Sequence, residues 1–360
     1  MSWIKSILLS FIPLLIGFLT LEIGIRVIQY AKLKLTVDTV QYSLYSEIYS
    51  DERDQAYLVW HKPSINVKLE DGYYDFTFKT NKLGHRSLSD DISFEKSIVF
   101  IGDSIIEGSS VENNETLSYL VSKNINIPTI NLGVASSNTV QEYLLGKEKI
   151  RSEFNMETLV LGFCLNDISQ NLYRKSFEPL IGNWKYFDSV EVDDQLTFHT
   201  FSSEAASSES DPSYLKHVKG VLRKSEAVLL IYRILKDGLS WQSSTRKYRA
   251  EAWKNTEYFI RKMSDLAANH NAKFVVIIFP YRDQIEGRMD FREQVKLKQI
   301  LEKNQVEYFD PSFVLSQNKN SVQDASNLYH DSAHPNKLGT LVIANAFSDY
   351  FVEKFLNTDD

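Results

Sequence analysis

A serine, an aspartate and a histidine in this chain are the residue types that carry out nucleophilic catalysis. Ser104 ends a short apolar run in "FIGDSIIEG", and Asp331 precedes His334 by three residues in "YHDSAHPNKLG". A serine hydroxyl is a weak nucleophile at neutral pH unless a base removes its proton, and histidine is the usual base. The base needs an acceptor at its other ring nitrogen, which Asp331 is close enough to supply. We therefore predict a triad of Ser104, His334 and Asp331.

Acyl transfer through a serine also needs hydrogen-bond donors for the oxyanion that forms on the substrate carbonyl. The backbone N–H of Ser104 is one candidate, because a helical pattern follows it. The N–H of Gly133 in "NLGVASSNT" is another, since glycine has no Cβ to block a close approach. The side-chain amide of Asn166 in "GFCLNDIS" is the third. The predicted oxyanion hole is thus Ser104, Gly133 and Asn166.

Five short apolar runs, interleaved with helical patterns, are predicted to be the strands that position these residues. Continuous apolar strands alternating with helices are typical of a parallel sheet covered on both faces. The sequence therefore predicts a three-layer α/β/α fold with a doubly wound, five-stranded parallel sheet. The predicted strands are Ile98–Ile101, Thr129–Leu132, Thr158–Phe163, Lys273–Phe279 and Val306–Phe309.

The candidate residues follow the ends of these strands. The carboxyl ends of parallel strands meet at one edge of a sheet, where ligands bind in open α/β folds. We therefore expect the candidates to converge there. The helical patterns are Thr116–Asn124, Thr139–Phe154, Lys247–Asn269, Asp290–Lys303 and one opened by Pro335.

One connection in this pattern is far too long for a simple crossover. About 110 residues separate the third strand from the fourth, and they include the serine-rich "FSSEAASSESDPS" and an amphipathic segment, Tyr214–Leu235. A structureless connection of that length is improbable in a compact domain. We predict a helical insertion over about 171–245.

The first residues of the chain are apolar enough to cross a membrane. Ser6 to Leu21 carries no charge, and the apolar character continues to Ile28. A bilayer needs about 20 such residues in a helix. No convincing small-x-small cleavage site follows, so an uncleaved single-pass anchor over 1–30 is predicted.

The charges around this anchor do not decide its orientation. Lys5 lies on one side, and Arg26, Lys32 and Lys34 lie on the other. Counted alone, they slightly favour a cytoplasmic body.

Between the anchor and the first predicted strand lies a lead-in segment. It contains an alternating stretch with Tyr74, Phe76 and Phe78, followed by turn residues at Asn81 and Gly84. This pattern predicts a short strand and a turn. The predicted division is an anchor over 1–30, the lead-in over 31–95 and the catalytic domain over 96–360.

Composition and missing motifs exclude several function classes. The 360 residues carry a net charge of −7, and no basic stripe is available to bind a nucleic-acid backbone. The single cysteine, Cys164, excludes an intrachain disulfide and a cysteine-rich metal site. Neither a Walker A lysine nor a G-x-G-x-x-G turn is present, which argues against a nucleotide cofactor. No cofactor is expected.

Each candidate also has a purely structural interpretation. Ser104 could be only a helix cap, and His334 only an exposed loop residue. His330 and His334 lie four residues apart, but Pro335 disfavours a helix there and no third metal ligand is evident, so no metal site is predicted. Asp103 and Asp167 are expected in turns, and Cys164 is expected to pack at a strand end.

Four blocks of the sequence resemble the SGNH or GDSL superfamily of esterases and lipases. "FIGDSIIEG", "NLGVASSNT", "LGFCLND" and "DSAHPNKLG" are similar, in this order, to the blocks that supply that family's serine, glycine, asparagine and histidine. The resemblance extends from Ser97 to about Phe355 and is interrupted by the insertion. It implies the same roles for the five site residues and a flavodoxin-like fold. Ile105 stands where the family usually has leucine.

The anchor ending "LEIGIRVIQY", the "TNKLGHR" turn and "LGFCLNDI" are similar to bacterial membrane-anchored SGNH proteins. Those proteins have one N-terminal helix and an extracytoplasmic hydrolase domain, and many accompany envelope or polysaccharide biosynthesis. The resemblance implies a periplasmic or cell-surface catalytic domain here, against the charge count.

Together these patterns predict a serine esterase that acts on O-acyl or O-acetyl groups of a glycan, a lipid or another ester-bearing molecule. Two alternatives stay open. The protein could transfer the acyl group to or from a cell-envelope polysaccharide, or it could be a non-catalytic envelope scaffold that keeps the fold.

Overall fold

A computed structural model of the 360-residue chain describes residues 47–52, 58–70, 75–90, 96–150, 155–171, 173–174, 184–187, 198–201 and 249–357. The strands in these residues are β1 (Tyr49–Glu52), β2 (Leu58–His61), β3 (Asn66–Glu70), β4 (Asp75–Lys79), β5 (Ser97–Gly102), β6 (Thr129–Gly133), β7 (Met156–Cys164), β8 (Tyr173–Arg174), β9 (Trp184–Phe187), β10 (Phe198–Phe201), β11 (Lys273–Phe279) and β12 (Glu307–Phe309). The helices are α1 (Ser104–Glu107), α2 (Leu117–Ile125), α3 (Thr139–Lys149), α4 (Asn166–Gln170), α5 (249–269), α6 (Arg282–Ile285), α7 (Arg292–Lys303), α8 (Ser312–Asn318) and α9 (Lys337–Phe351).

Five strands form the central parallel sheet in the order β12-β11-β7-β5-β6. In sequence, β5 is the first strand of this sheet. The chain next forms β6 on one side of β5 and then crosses to the other side, where β7, β11 and β12 follow in order. This reversal makes the sheet doubly wound and leaves a crevice at the carboxyl end of β5. The predicted five-stranded parallel sheet is confirmed.

The apolar runs become strands because both faces of the sheet are covered. Along β5, Val99 and Ile101 face one hydrophobic cluster, and Ile98 and Phe100 face another on the opposite side. All four side chains are completely buried. Each contributes about 1.5–3 kcal/mol relative to an exposed position. Period-2 alternation with two apolar faces therefore gives the three layers.

The helices divide between these two faces. The first cluster includes Leu145 of α3, Ile260 of α5 and Leu297 of α7. The second includes Val121 of α2 and Phe347 of α9. The predicted helices exist close to their expected positions, although α3 ends at Lys149 and the last helix begins at Lys337, with Asn336 as its cap.

The described part of the lead-in packs into the core below the central sheet. Strands β1–β2 and β3–β4 form two antiparallel pairs. Their buried side chains Trp60, Phe76 and Phe78 belong to the same hydrophobic cluster as the first face of the sheet. The strand and turn predicted around Phe76–Gly84 are present, and Gly84 has the left-handed φ of 83° that glycine tolerates. The described residues between 47 and 90 thus share one hydrophobic core with the central sheet.

The predicted insertion is not helical where the structure describes it. In this range β8, β9 and β10 form a three-stranded antiparallel sheet. The runs "WKYF" and "FHTF" are rich in aromatic residues, which favour strands, so tertiary pairing replaced the expected helices. The amphipathic segment Tyr214–Leu235 lies outside the described residues.

The predicted membrane anchor over 1–30 also lies outside the described residues. In the part of the chain that the structure describes, no helix combines the length and apolar character needed to cross a bilayer.

Candidate active site

The end of β5 places Ser104 at the edge of the sheet. Asp103 leaves the strand in an extended conformation, and its carboxylate accepts the N–H of Ile105 at 2.9 Å, which caps α1. A Cβ on Gly102 would lie 2.6 Å from Cγ1 of Ile106 and 2.9 Å from the Gly162 carbonyl oxygen. Only glycine fits at this position, where the chain leaves β5. The chain can therefore turn at once into α1, whose first residue is Ser104. The cap of α1 is therefore Asp103 and not Ser104, so the purely structural interpretation of Ser104 as a helix cap is wrong.

The loop before α9 brings His334 to Ser104. The Ser104 hydroxyl and His334 Nε2 are 2.8 Å apart, although 230 positions separate the residues in sequence. Two contacts hold the loop against the end of β11: the Tyr329 hydroxyl donates to the Pro280 carbonyl at 3.0 Å, and the Arg282 N–H donates to the Ser332 carbonyl at 2.9 Å.

Asp331 fixes the orientation of the imidazole. Its Oδ2 lies 2.7 Å from His334 Nδ1, and its Oδ1 accepts the backbone N–H groups of Ala333 at 2.7 Å and His334 at 2.8 Å. A carboxylate accepts only, so Nδ1 carries the proton and Nε2 is left to accept from Ser104. The structure therefore brings the three predicted triad residues together in the order serine, histidine, aspartate.

Charge and burial tune the two titratable members of this triad. Burial alone would lower the pKa of His334, but the hydrogen bond and negative charge of Asp331 outweigh it and raise that pKa above its usual 6.5. Burial would raise the pKa of Asp331, but its hydrogen bonds from His334 and Ala333 bring it far below 3.8. Asp331 is therefore ionised at neutral pH, and its charge makes His334 a stronger base than a free imidazole.

Two of the three predicted oxyanion donors line the same cavity as His334. Ser104 and Asn166 both face a cavity of about 420 Å³ at the carboxyl end of the sheet. The N–H of Ser104 is at the first position of α1, where no helical acceptor exists. Burial raises the pKa of the Asp103 carboxyl, and the neighbouring side chain of Asn166 partly opposes that rise.

The structure does not bring the third predicted donor, Gly133, to this cavity. Its N–H donates to Oδ1 of Asn131 at 2.9 Å, so it is already occupied, and Gly133 does not line the cavity. A Cβ at this position would lie 2.2 Å from the backbone nitrogen of Glu107. Gly133 is needed because α1 packs directly against β6, and its role is close packing.

Ser136, which the sequence did not indicate, lines the cavity in place of Gly133. Its φ is +63°, a left-handed conformation that non-glycine residues adopt infrequently. Its N–H has no hydrogen-bond partner among the described residues. The sequence does carry one signal for Ser136. It belongs to the polar run "SSN", whose asparagine caps α3, at a sheet edge where loops carry function. Gly133 was predicted because the missing Cβ of a glycine can be read from the sequence, whereas the left-handed conformation of Ser136 cannot.

Cys164 and Tyr281 complete the cavity close to the triad. Burial raises the pKa of the Cys164 thiol well above its usual value, so the thiol stays protonated. Cys164 is buried at the end of β7, as predicted. Tyr281, which follows β11, is a cavity residue that the sequence did not indicate.

The remaining polar candidates have structural contacts. Asp103 caps α1, and Asp167 accepts from the Thr139 hydroxyl at 3.1 Å. The N–H of His330 donates to the carbonyl of His334 at 2.8 Å within the loop. The described residues contain no group of three or more side chains placed to bind a metal ion.

No family model matches this sequence, and no curated protein matches it. Among solved structures, it is similar to a member of the lipolytic protein G-D-S-L family from Veillonella parvula, with 14% identity over 73% of this chain and 99% of that one, at a TM-score of 0.39. It is similar to the acetyl xylan esterase Est2A from the rumen bacterium Butyrivibrio proteoclasticus, with 10% identity over 73% of this chain and 65% of that one, at a TM-score of 0.37.

A third similar structure is the acetyl xylan esterase AlAXEase, with 12% identity over 71% of this chain and 98% of that one, at a TM-score of 0.39. Because all three TM-scores are below 0.5, the function proposed for this chain rests on the geometry of its own site. The solved structures similar to this chain include G-D-S-L or SGNH hydrolases and acetyl xylan esterases.

Proposed function

We propose that this protein is a serine esterase of the SGNH type that hydrolyses carboxylic esters through an acyl-enzyme on Ser104. The observation that carries the proposal is the contact of 2.8 Å between the Ser104 hydroxyl and Nε2 of His334, whose Nδ1 is held by Asp331 at 2.7 Å. A helix cap or a structural loop histidine needs no such alignment. An activated nucleophile needs all of it.

In the first half of the reaction, Ser104 Oγ attacks the carbonyl carbon of the ester while its proton moves to His334 Nε2. The carbonyl oxygen becomes an oxyanion, and the N–H groups of Ser104 and Ser136 and the amide of Asn166 donate to it. Collapse of the tetrahedral intermediate breaks the bond to the alcohol oxygen. The alcohol leaves with the proton from His334, and the acyl group stays on Ser104.

In the second half, His334 takes a proton from water as the water oxygen attacks the acyl-enzyme. The same donors receive the second oxyanion. Collapse releases the carboxylic acid and returns the proton to Ser104 Oγ. Each donor is worth about 3 kcal/mol of the barrier, because it is in place before the charge develops.

The proposed substrates are O-acyl esters, with O-acetyl groups on a glycan or lipid as the class that the sequence resemblance favours. The cavity supports an ester substrate, because the Ser104 nucleophile, its base His334 and the Asn166 amide all lie in its lining. Transfer of the acyl group to a sugar hydroxyl would use the same acyl-enzyme, with the sugar in place of water.

The test uses the full chain purified in mild detergent, with Ser104→Ala and His334→Ala beside the parent. The parent is expected to hydrolyse p-nitrophenyl acetate and to react with a fluorophosphonate probe, and both variants are expected to lose turnover. Ser316→Ala, which changes an exposed serine on α8, is the matched control and should retain labelling. Labelling that persists in Ser104→Ala, or a parent that turns over no short ester, would refute the proposal and favour a non-catalytic scaffold. Mass analysis with an added glycan acceptor separates hydrolysis from transfer.

We also propose that residues 1–30 anchor the protein in a membrane. The catalytic domain then lies outside the cytoplasm, in the periplasm or at the cell surface. The support is the charge-free run Ser6–Leu21 and the resemblance to anchored SGNH proteins. Protease added to intact spheroplasts should digest the catalytic domain. A domain that becomes sensitive only after lysis would overturn this orientation.

A further inference from the structure

A buried carboxylate on the nucleophile's helix joins three parts of the molecule. Glu107 ends α1, three residues after Ser104, and is only 2% exposed. Its carboxylate accepts hydrogen bonds from the Tyr49 hydroxyl and from the Ser109 hydroxyl. It also contacts Nε2 of His61 at 2.8 Å and accepts the backbone N–H of Ala135 at 3.0 Å. Glu107 therefore links α1, the loop after β6 and the lead-in.

The loop after β6 is the one that places Ser136 in the cavity. The N–H of Ala135 directly precedes Ser136, so its bond to Glu107 constrains the adjacent peptide unit. On the other side, the N–H of Val134 and the Ser137 hydroxyl both donate to the Gly102 carbonyl, at 3.0 and 3.2 Å. Ser136 needs such support, because its left-handed conformation is not one that a serine favours by itself.

The Glu107 end of this linkage is charged. Burial would raise the pKa of Glu107, but its contact with His61 and the hydrogen bonds from the Ser109 and Tyr49 hydroxyls lower it, so the carboxylate is ionised. On the other side of its ring, His61 Nδ1 lies 2.9 Å from the Gly84 carbonyl oxygen. The His61 ring therefore bridges the Gly84 carbonyl and the Glu107 carboxylate, and both side chains are buried.

The contacts with Tyr49 and His61 hold the Glu107 carboxylate against the lead-in, and the carboxylate is buried away from solvent. The nearby guanidinium of Arg86 donates to the carbonyls of Glu107 and Val111, which holds the segment that follows α1. The lead-in thus supplies three polar side chains to the back of the helix that carries Ser104: Tyr49, His61 and Arg86.

We propose that Tyr49 and His61 act through Glu107 as positioning residues that hold the N–H of Ser136 at the oxyanion site. This inference rests on the proposed esterase function and deepens it: the lead-in belongs to the working site as well as to the core. Neither residue touches the substrate, so their effect is on the transition state and not on ester binding.

The experiment compares Tyr49→Phe and Glu107→Gln with the parent, using the full chain and p-nitrophenyl acetate. Removing an oxyanion donor outright costs about 10²–10³-fold in kcat, so displacing one is expected to cost about tenfold in Tyr49→Phe and more in Glu107→Gln. KM should stay within about twofold. Affinity for a trifluoromethyl ketone, whose adduct carries an oxyanion, should fall in parallel with kcat. The acid limb of the pH–rate profile should not move in Tyr49→Phe, because that variant keeps both the His334–Asp331 pair and the charge of Glu107. In Glu107→Gln the limb should move to lower pH, because the negative charge of Glu107 raises the pKa of His334.

Ser50→Ala is the matched control, because Ser50 lies in the same strand as Tyr49 and its hydroxyl donates to the Trp60 carbonyl at 2.9 Å instead of Glu107. It should keep the parental kcat. If Glu107→Gln does not fold, Tyr49→Phe decides, because it removes one hydroxyl only. A folded Tyr49→Phe with parental kcat and ketone affinity overturns the inference. An inactive parent instead defeats the esterase function itself, so the two failures are distinguishable.

Discussion

Replacing Asp331 by asparagine is predicted to disable the site while leaving its shape intact. In the parent, Oδ1 of Asp331 accepts two backbone N–H groups, and Oδ2 lies 2.7 Å from His334 Nδ1. The asparagine oxygen is expected to keep the backbone contacts, since these need an acceptor. The NH₂ group then faces Nδ1, so the imidazole must place its proton on Nε2. In that tautomer Nε2 cannot accept the proton of Ser104.

The size of the effect follows from this change of tautomer. A histidine in the wrong tautomer costs a serine triad about 10⁴-fold in kcat, equivalent to about 5 kcal/mol of transition-state stabilisation. The pH dependence should change as well. Asp331 raises the pKa of His334, and neutral His334 is the active base, so activity of the parent is lost as pH falls through a value above 6.5. Without the carboxylate, the acid limb of Asp331→Asn should move to lower pH.

The assay is kcat/KM for p-nitrophenyl acetate from pH 5 to 9, with parent and variant compared by thermal melting. Asp349→Asn, at an exposed position on α9, is the matched control and should keep the parental profile. A loss of less than tenfold, with an acid limb that does not move, would show that Asp331 neither orients nor charges His334, and the reasoning would be wrong.

Three further substitutions test the positions around the oxyanion. Gly133→Ala should lower the yield of folded protein and its melting temperature, because the added Cβ would lie 2.2 Å from the nitrogen of Glu107; a normal melting curve would contradict the close packing. Asn166→Ala should lower kcat by about 10²-fold or more with little change in KM, and equal losses in kcat and substrate affinity would argue against an oxyanion role. Ser136→Gly should keep most of kcat, because it retains the backbone N–H, and should not lower the melting temperature, because glycine accepts a φ of +63° without strain. A loss of kcat as large as that of Asn166→Ala would instead implicate the Ser136 hydroxyl.

The sheet could be predicted because its strands are defined by local pattern. "IVFI" within β5 and "FVVIIF" within β11 are too apolar to lie anywhere but between two covered faces, and the structure buries all of these side chains. The ends of the apolar runs in β5 and β7 located Ser104 and Asn166 at the edge of the sheet. The insertion was harder, because short aromatic runs such as "WKYF" become strands only when a partner strand pairs with them.

The choice between Gly133 and Ser136 shows where local reasoning stops. Gly133 ends β6, and Ser136 lies in the loop that follows. From the sequence, glycine is the expected donor, because it has no Cβ to block approach to its N–H. The N–H of Gly133 is nevertheless taken by Asn131, and the absent Cβ accommodates α1. Which N–H of a loop faces a cavity depends on how the whole loop is held, and here the holding contacts come from Glu107 and Gly102.

By itself, the sequence determined the alternation of strands and helices, the edge at which chemistry would occur, and the serine, aspartate and histidine that meet there. These features depend on residue type and on short-range periodicity, which every segment carries within itself. Only the tertiary structure decided that the described residues between 47 and 90 share the core of the central sheet, and that Tyr49 and His61 contact the helix that begins at Ser104. His61 and Tyr49 lie 46 and 58 positions before Glu107 in the sequence. Their contacts with Glu107 form because buried polar groups must find partners wherever the fold places them.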